Sequence, residues 1–546
     1  MLERRTVTEC ELEVATQTGS KTEKSETPQN HMQDTAVLKS TSGRLLARNA
    51  IWNIVGQTAP MLVAVYAIPR LIRGLGTARF GVLTIAWMVV GYFSFFDFGL
   101  GRALTKLVAD KLGSKRENEL PQLVWTSIGT IFFLGCIGTA VLLGGAHLLV
   151  YSILKVPEAA RPETLWSFYV LAFAIPIVTT STGLRGVLEA HQEFALLTAI
   201  RIPLGMFTFG GPLLVLMFSQ SMVAVVGALL AVRLITGVAH LVACFVKMPE
   251  LRRGDYFEPA CLRAVFHLGG WMTVSNLISP LLVFMDRFLI GAVLSVSAVA
   301  YYAIPFELIS KLLVVPLAVA GPLFPAFAVN SVRQDHVRSS FMLRRAVKYI
   351  FLFVFPATVL AVSFAHQGLK LWLGESFAQN SAPVLQWLAV GVLINSLSVV
   401  AAALIQGYGR PDLAAKFHML EFPLYAIGLW SMLKWHGVVG AAIAWTMRAT
   451  LDAVLLFAAA GWLARSPFLH WRRIAALVGG VAAILAASAR TLSSSVKVPF
   501  VTATLLLFAV GVWFRMSQQE RSLIVRLGKS PDRYTERSIL SGITNS

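Results

Sequence analysis

The chain has 546 residues, 56% of them hydrophobic and only 14% charged, with a mean hydropathy of +0.68; that balance excludes an ordinary soluble domain and indicates an integral membrane protein. The formal net charge of +19 would suit a nucleic-acid partner, but the Lys and Arg residues are spread over short segments between apolar runs, as in loops that face an anionic leaflet. No nucleic acid is therefore expected as a partner. The four cysteines, Cys10, Cys136, Cys244 and Cys261, form no CxxC pair, so neither a disulfide framework nor a zinc site is indicated.

In chain order, residues 1–43 are polar, carry charges of both signs and contain no apolar core of signal-peptide length, which predicts a disordered cytoplasmic tail. Fourteen apolar runs of about span length follow. The first six lie near 48–70, 80–103, 122–150, 165–188, 195–218 and 222–246, within a bundle expected at 44–253. The next six lie near 264–291, 299–328, 346–372, 383–407, 413–434 and 437–463, within a bundle expected at 254–466. Two additional spans, near 473–490 and 498–515, occupy 467–516, and a second cytoplasmic tail occupies 517–546.

Basic residues near span ends are retained on the cytoplasmic side. Arg102, Lys106, Lys111, Lys115 and Arg116 follow the second span, Lys247, Arg252, Arg253 and Arg263 the sixth, and Arg333, Arg338, Arg344, Arg345 and Lys348 the eighth. The loops after the fifth and seventh spans carry none, so both termini are expected in the cytoplasm. Arg70, Arg73 and Arg79 in the first outside loop are the exception.

The chain also repeats itself. TARFGVLTIAW at 77–87 aligns with VSAVAYYAIPF at 296–306, RIPL at 201–204 with EFPL at 421–424, and VVGALLA at 225–231 with VVGAAIA at 438–444. An even number of spans per unit makes both copies enter from the same side. The fold expected is therefore all-α, with about 14 transmembrane helices in two parallel six-helix bundles related by a pseudo-twofold along the membrane normal, plus two C-terminal helices. Two bundles facing each other across a cleft suggest alternating access.

LGTARFGVLTIAW leading into FDFGLGRALTK, the later VSAVAYYAIPFELISKLLVVPLAVAGPLFPAFA, and the segments GLRGVLEAHQEF and ALIQGYGRPD carry a family likeness. Over residues 44–466 the chain resembles the polysaccharide-export branch of the multidrug/oligosaccharidyl-lipid/polysaccharide exporter superfamily. The resemblance implies a flippase that moves undecaprenyl-pyrophosphate-linked oligosaccharide across the bacterial inner membrane for O-antigen, capsule or exopolysaccharide synthesis. Its implied partners are that lipid-linked cargo, membrane lipids, and a polysaccharide polymerase with chain-length machinery. A multidrug or cation antiporter and a lipid II flippase of the same superfamily are the alternatives. A membrane-embedded polymerase or ligase is the alternative of another class, although the outside loops are short and no catalytic set stands out.

Charges inside spans cost roughly 2.5–3.5 kcal/mol each at a helix centre, so they mark cavities or partners. Arg201, Arg233, Arg287, Lys311 and Arg448 are the candidates to meet a pyrophosphate, because guanidinium offers paired donors to phosphate oxygens. Asp97, Glu307, Glu421 and Asp452 are candidates for gating or for coupling to H+ or Na+. Glu307 with Lys311, and Arg448 with Asp452, are spaced i,i+4 and are expected to pair. Asp286 and Arg287 leave their helix on different sides, so each is expected to find another partner, while His240 and His267 read as interfacial. No other cofactor is indicated, and the absence of a GxxxxGK[ST] loop disfavours ATP as the energy source.

Overall fold

The computed structural model describes residues 43–93, 100–114, 116–252, 258, 282, 284–465, 483–487, 489 and 494–515. The chain divides into two units, residues 1–55 with 531–546, and residues 56–530. The first contributes only the helical stretch 43–55 to the described residues; the cavity and clusters below belong to the second. Asp97, His267, both tails, the start of the seventh span and most of the thirteenth lie outside the described residues.

No strand occurs among the described residues, as expected where no water is present to satisfy an open sheet edge. Helix α1 (Gly43–Phe93) runs for 51 residues, about 77 Å if straight, more than twice a bilayer's hydrocarbon core. It is in fact two spans joined at Gly76, whose φ of 78° and ψ of 163° reverse the chain. Without a Cβ, glycine takes that conformation at little steric cost. Helix α14 (Pro411–Leu463) does the same at Gly437, with φ of 58°.

Between these hairpins come α2 (Leu100–Gly113), α3 (Leu120–Leu148) with a π-turn at Leu149–Ile153, and α4 (Arg161–Ala172) and α5 (Ala174–Ala190), one span broken at Phe173. Then follow α6 (Phe194–Leu216), α7 (Met222–Lys247), α8 (284–293), α9 (Val296–Ser310), a 3-10 turn at Lys311–Leu313, and α10 (Val314–Val332). Helices α11 (His336–Ser363), α12 (Ala365–Leu373), α13 (Glu375–Gly407) and, beyond α14, α15 (Ser494–Arg515) complete the path. Ten stretches among the described residues are long and apolar enough to cross a membrane, and two of them are the double-length hairpins. The chain is an all-α, multi-pass membrane protein.

Each half is organised around its fourth span. In the N-terminal half α4 and α5 pack on α2, α3 and α7; in the C-terminal half α13 packs on α9, α10, α11 and α14. The two arrangements correspond span by span, as the internal repeat requires. They also share a contact. A Cβ on Gly186 would lie 2.9 Å from the Gly101 carbonyl oxygen, and one on Gly407 would lie 2.9 Å from the Phe324 carbonyl oxygen. Small residues let backbones approach this closely inside a membrane. Helix α15 lies outside the repeat, with Phe508 against Phe351 and Phe355 of α11 at ring separations of 5.9 and 4.9 Å.

Two of the three exceptional basic residues near Gly76, Arg70 and Arg79, are accommodated individually. Arg70 lies 3.5 Å over the Tyr66 ring. Arg79 pairs with Glu163 at 2.9 Å, and the other Glu163 oxygen accepts the Met222 N–H at 2.6 Å, tying spans two, four and six together. Between α2 and α3, Lys111 bonds to Glu119 and holds that carboxyl below the usual carboxylate range. His240, expected to be interfacial, packs against other parts of the protein. It is buried on the inner stripe of α7, and its ring Nδ1 lies 2.9 Å from the Thr236 carbonyl.

Candidate transport site

The two halves meet at the end of the molecule that carries the Gly76 and Gly437 turns. A Cβ on Gly81 would fall 1.8 Å from the Val296 carbonyl oxygen, so the first turns of the second and eighth spans touch backbone to backbone. Trp372 donates from Nε1 to the Val65 carbonyl at 2.7 Å. The Lys155 N–H donates to the Gly291 carbonyl at 3.0 Å, and its ammonium bonds to the Val293 carbonyl. These contacts close that end.

Beneath the closure lies a cavity of about 210 Å³ between α1, α6, α8 and α9, lined among others by Trp87, Phe209, Phe284, Arg287, Glu307 and Lys311. Counting from the turn at Ser295, Arg287, Glu307 and Lys311 lie roughly 12, 18 and 24 Å deep at 1.5 Å per residue. That spans the middle of a core about 30 Å thick. The buried Nε1 of Trp87 has no acceptor among the described residues and is a spare donor in the wall.

The charges in the cavity are held very differently. Arg287 is 5% exposed, with its guanidinium 4.6 Å over the Phe306 ring and 5.7 Å from that of Phe284. Behind it sits Asp286, fully buried, whose Oδ1 lies 3.4 Å from Arg287 Nη1 and accepts the Arg287 backbone N–H at 2.7 Å. Tyr302 donates its hydroxyl to Asp286 Oδ2 at 2.6 Å. The expectation that Asp286 and Arg287 would part is therefore corrected: the long guanidinium folds back beside its neighbour's carboxylate. Toward the cavity, Glu307 places Oε2 3.3 Å from Lys311 Nζ and Oε1 4.0 Å from Arg287 Nη2. The Glu307–Lys311 pair expected from i,i+4 spacing is present, and Arg287 joins it from another helix.

A second cluster stands on α14, behind the cavity, and is reached through the edge-to-face contact of Phe306 with Trp445 at 5.4 Å. Arg448 Nη1 lies 3.5 Å from Glu421 Oε2, and His418 Nε2 lies 3.8 Å from Asp452 Oδ1. The expected Arg448–Asp452 pair is thus replaced by pairs that cross the Gly437 hairpin. Facing atoms of His418, Glu421 and Asp452 all fall within 4.8 Å of one another. Glu421 is fully buried, and neither of its oxygens has a hydrogen-bond partner among the described residues.

Of the five candidate cations, Arg287 and Lys311 line the cavity and Arg448 lies behind it. Arg233 is half-buried midway along α7 on the stripe shared with Leu229, Thr236 and His240, and Arg201 is exposed on α6. Sequence reasoning passed over Tyr302 and His418, which become recognisable only once their partners are placed.

Two related bundles facing each other across a mid-depth cavity define the fold of a multi-pass transporter. Solved structures share that fold. An inward-facing multidrug resistance MATE family transporter of the MOP superfamily aligns with a TM-score of 0.59 at 15% identity over 76% of this chain and 98% of its own. The lipid II flippase MurJ, in an inward closed conformation, aligns with a TM-score of 0.65 at 11% identity over 86% and 99%. A protein of Shigella flexneri named as an O-antigen transporter is 30% identical over 412 residues, covering 75% of this chain and 96% of its own. The lipopolysaccharide biosynthesis protein WzxC of Escherichia coli K12 is 20% identical over 75% and 79%. The family model described as polysaccharide biosynthesis protein matches residues 46–331, and the chain belongs to that family.

Proposed function

We propose that the protein is a flippase, not an enzyme, that carries undecaprenyl-pyrophosphate-linked oligosaccharide from the cytoplasmic to the outer leaflet of the bacterial inner membrane for surface polysaccharide synthesis. The observation that carries this reading is the cavity shared by the two halves, which offers Arg287 and Lys311 at mid-depth within aromatic walls. Guanidinium and ammonium groups away from bulk water suit a diphosphate, while Trp87 and Phe209 offer flat faces to sugar rings. The relatives named for O-antigen transport and lipopolysaccharide biosynthesis support the same class of cargo. A cation antiporter would favour a cavity of the opposite charge balance.

Transport proceeds by rocking of the two bundles about the closed end, which faces outward if both termini are cytoplasmic. Energy comes from a coupled ion handled at Glu421 and Asp452. The Arg448 guanidinium beside Glu421 already supplies a fixed cation there, which favours H+ over Na+ as the ion. A polysaccharide polymerase and its chain-length machinery then receive the cargo.

Deletion of the protein is expected to strand lipid-linked oligosaccharide on the cytoplasmic leaflet. Unchanged surface glycan together with altered drug sensitivity would sink the reading. In proteoliposomes, transport that ignores a proton gradient would remove the coupling step alone.

A further inference from the structure

We infer that Glu307 is a built-in substitute for the cargo's diphosphate: it occupies Arg287 and Lys311 in the empty carrier and must be displaced when cargo binds. The inference rests on the reading that these two cations receive the cargo's headgroup. Three observations carry it. One carboxylate spans both cations, Oε2 at 3.3 Å from Lys311 and Oε1 at 4.0 Å from Arg287, so its two oxygens stand where two phosphate oxygens would. The members differ in freedom, since Arg287 is fixed by Asp286 and Phe306 whereas Glu307 is 55% exposed and borders open cavity. Glu307 also sits on α9, one turn before the 3-10 turn that begins at Lys311, so a small swing of its side chain uncovers the cavity side of both cations together.

The arrangement has two consequences. An empty cavity at mid-membrane is not left holding uncompensated positive charge, which would be costly there. Cargo binding becomes an exchange of one anion for another, so affinity is held down and Glu307 can return to expel the headgroup after the halves rock. An apolar or neutral lipid cannot complete that exchange, which adds selection for the diphosphate.

The test is binding of farnesyl diphosphate, against farnesol, to the purified full chain in lipid nanodiscs. The wild type is expected to prefer the diphosphate. Glu307→Gln, nearly the same shape without the charge, is expected to bind it about tenfold more tightly, the scale of two partly exposed ion pairs, and to turn cargo over more slowly. Adding Lys311→Met to Glu307→Gln is expected to abolish the gain. Glu307→Asp, which keeps the charge but is too short to span both cations, is expected to fall between, and it serves if the Gln variant folds poorly. Diphosphate binding that is equal or weaker in Glu307→Gln, with wild-type preference intact, overturns the inference and leaves the headgroup site standing. A wild type that does not distinguish diphosphate from alcohol overturns both.

Discussion

At the scale of single residues, the unit in the cavity wall is Tyr302–Asp286–Arg287, in which a buried hydroxyl and a buried carboxylate together fix one guanidinium. Tyr302→Phe removes the 2.6 Å bond and nothing else of the ring's packing. Polar bonds between membrane helices are worth roughly 0.6–2 kcal/mol, so a modest fall in thermal stability in detergent is expected. Transport should fall further than stability, because Arg287 loses the group that holds its anchor still; an unchanged initial rate would show that Asp286 alone suffices. The sequence revealed the Glu307–Lys311 pair because both members lie on one helix face four residues apart. It misplaced Asp286 and Arg287, since Cα directions ignore how far a guanidinium can fold back. It also mispaired Arg448, whose real partner is 27 residues away across a hairpin whose packing no linear spacing reports.

Among elements, the fourth and tenth spans carry each half. At Gly186 and Gly407 these central helices touch neighbouring backbone. Gly186→Ala and Gly407→Ala are each expected to destabilise the protein by about 1–3 kcal/mol through overpacking, seen as reduced yield and an earlier melting transition. Gly428→Ala, where a Cβ meets nothing within 4 Å, is the matched control and is expected to be neutral; equal losses at all three sites would refute the packing argument. Apolar runs made most spans legible, and the segments GLRGVLEAHQEF and ALIQGYGRPD, which carry the family likeness, contain these two glycines. The stretch RLIRGLGTARF looked like a charged loop from about 71 to 79, yet it is helical on both sides of Gly76. Arg70 is absorbed by Tyr66 one turn back, and Arg79 by Glu163, a partner that lies outside the local sequence window.

For the molecule as a whole, closure at the Gly76 end depends on the second and eighth spans touching at Gly81 and Val296. Gly81→Val places a branched side chain against that carbonyl and is expected to hold the end apart. In a background without native cysteines, Ala303→Cys in the cavity wall should then react faster with a membrane-impermeant thiol reagent added outside. No change in labelling would mean that closure does not require this contact. The pseudo-twofold was readable because the duplicated segments kept their order and spacing, whereas the grouping of Arg287, Glu307 and Lys311 at one cavity was not, since the charges differ between the two copies.

Four of the contacts that join the halves have one property in common: at Val65, Gly291, Val293 and Val296, the group met is a backbone carbonyl. A carbonyl is supplied by any residue, so these contacts themselves do not depend on which side chains stand at Val65, Val293 and Val296, although the Val296 side chain is fully buried for other reasons. Paired substitutions across this surface will consequently leave little correlated signal in a family alignment. The part of the carrier that the proposed rocking would open and shut is thus among the parts least visible to methods that infer contacts from co-varying residues.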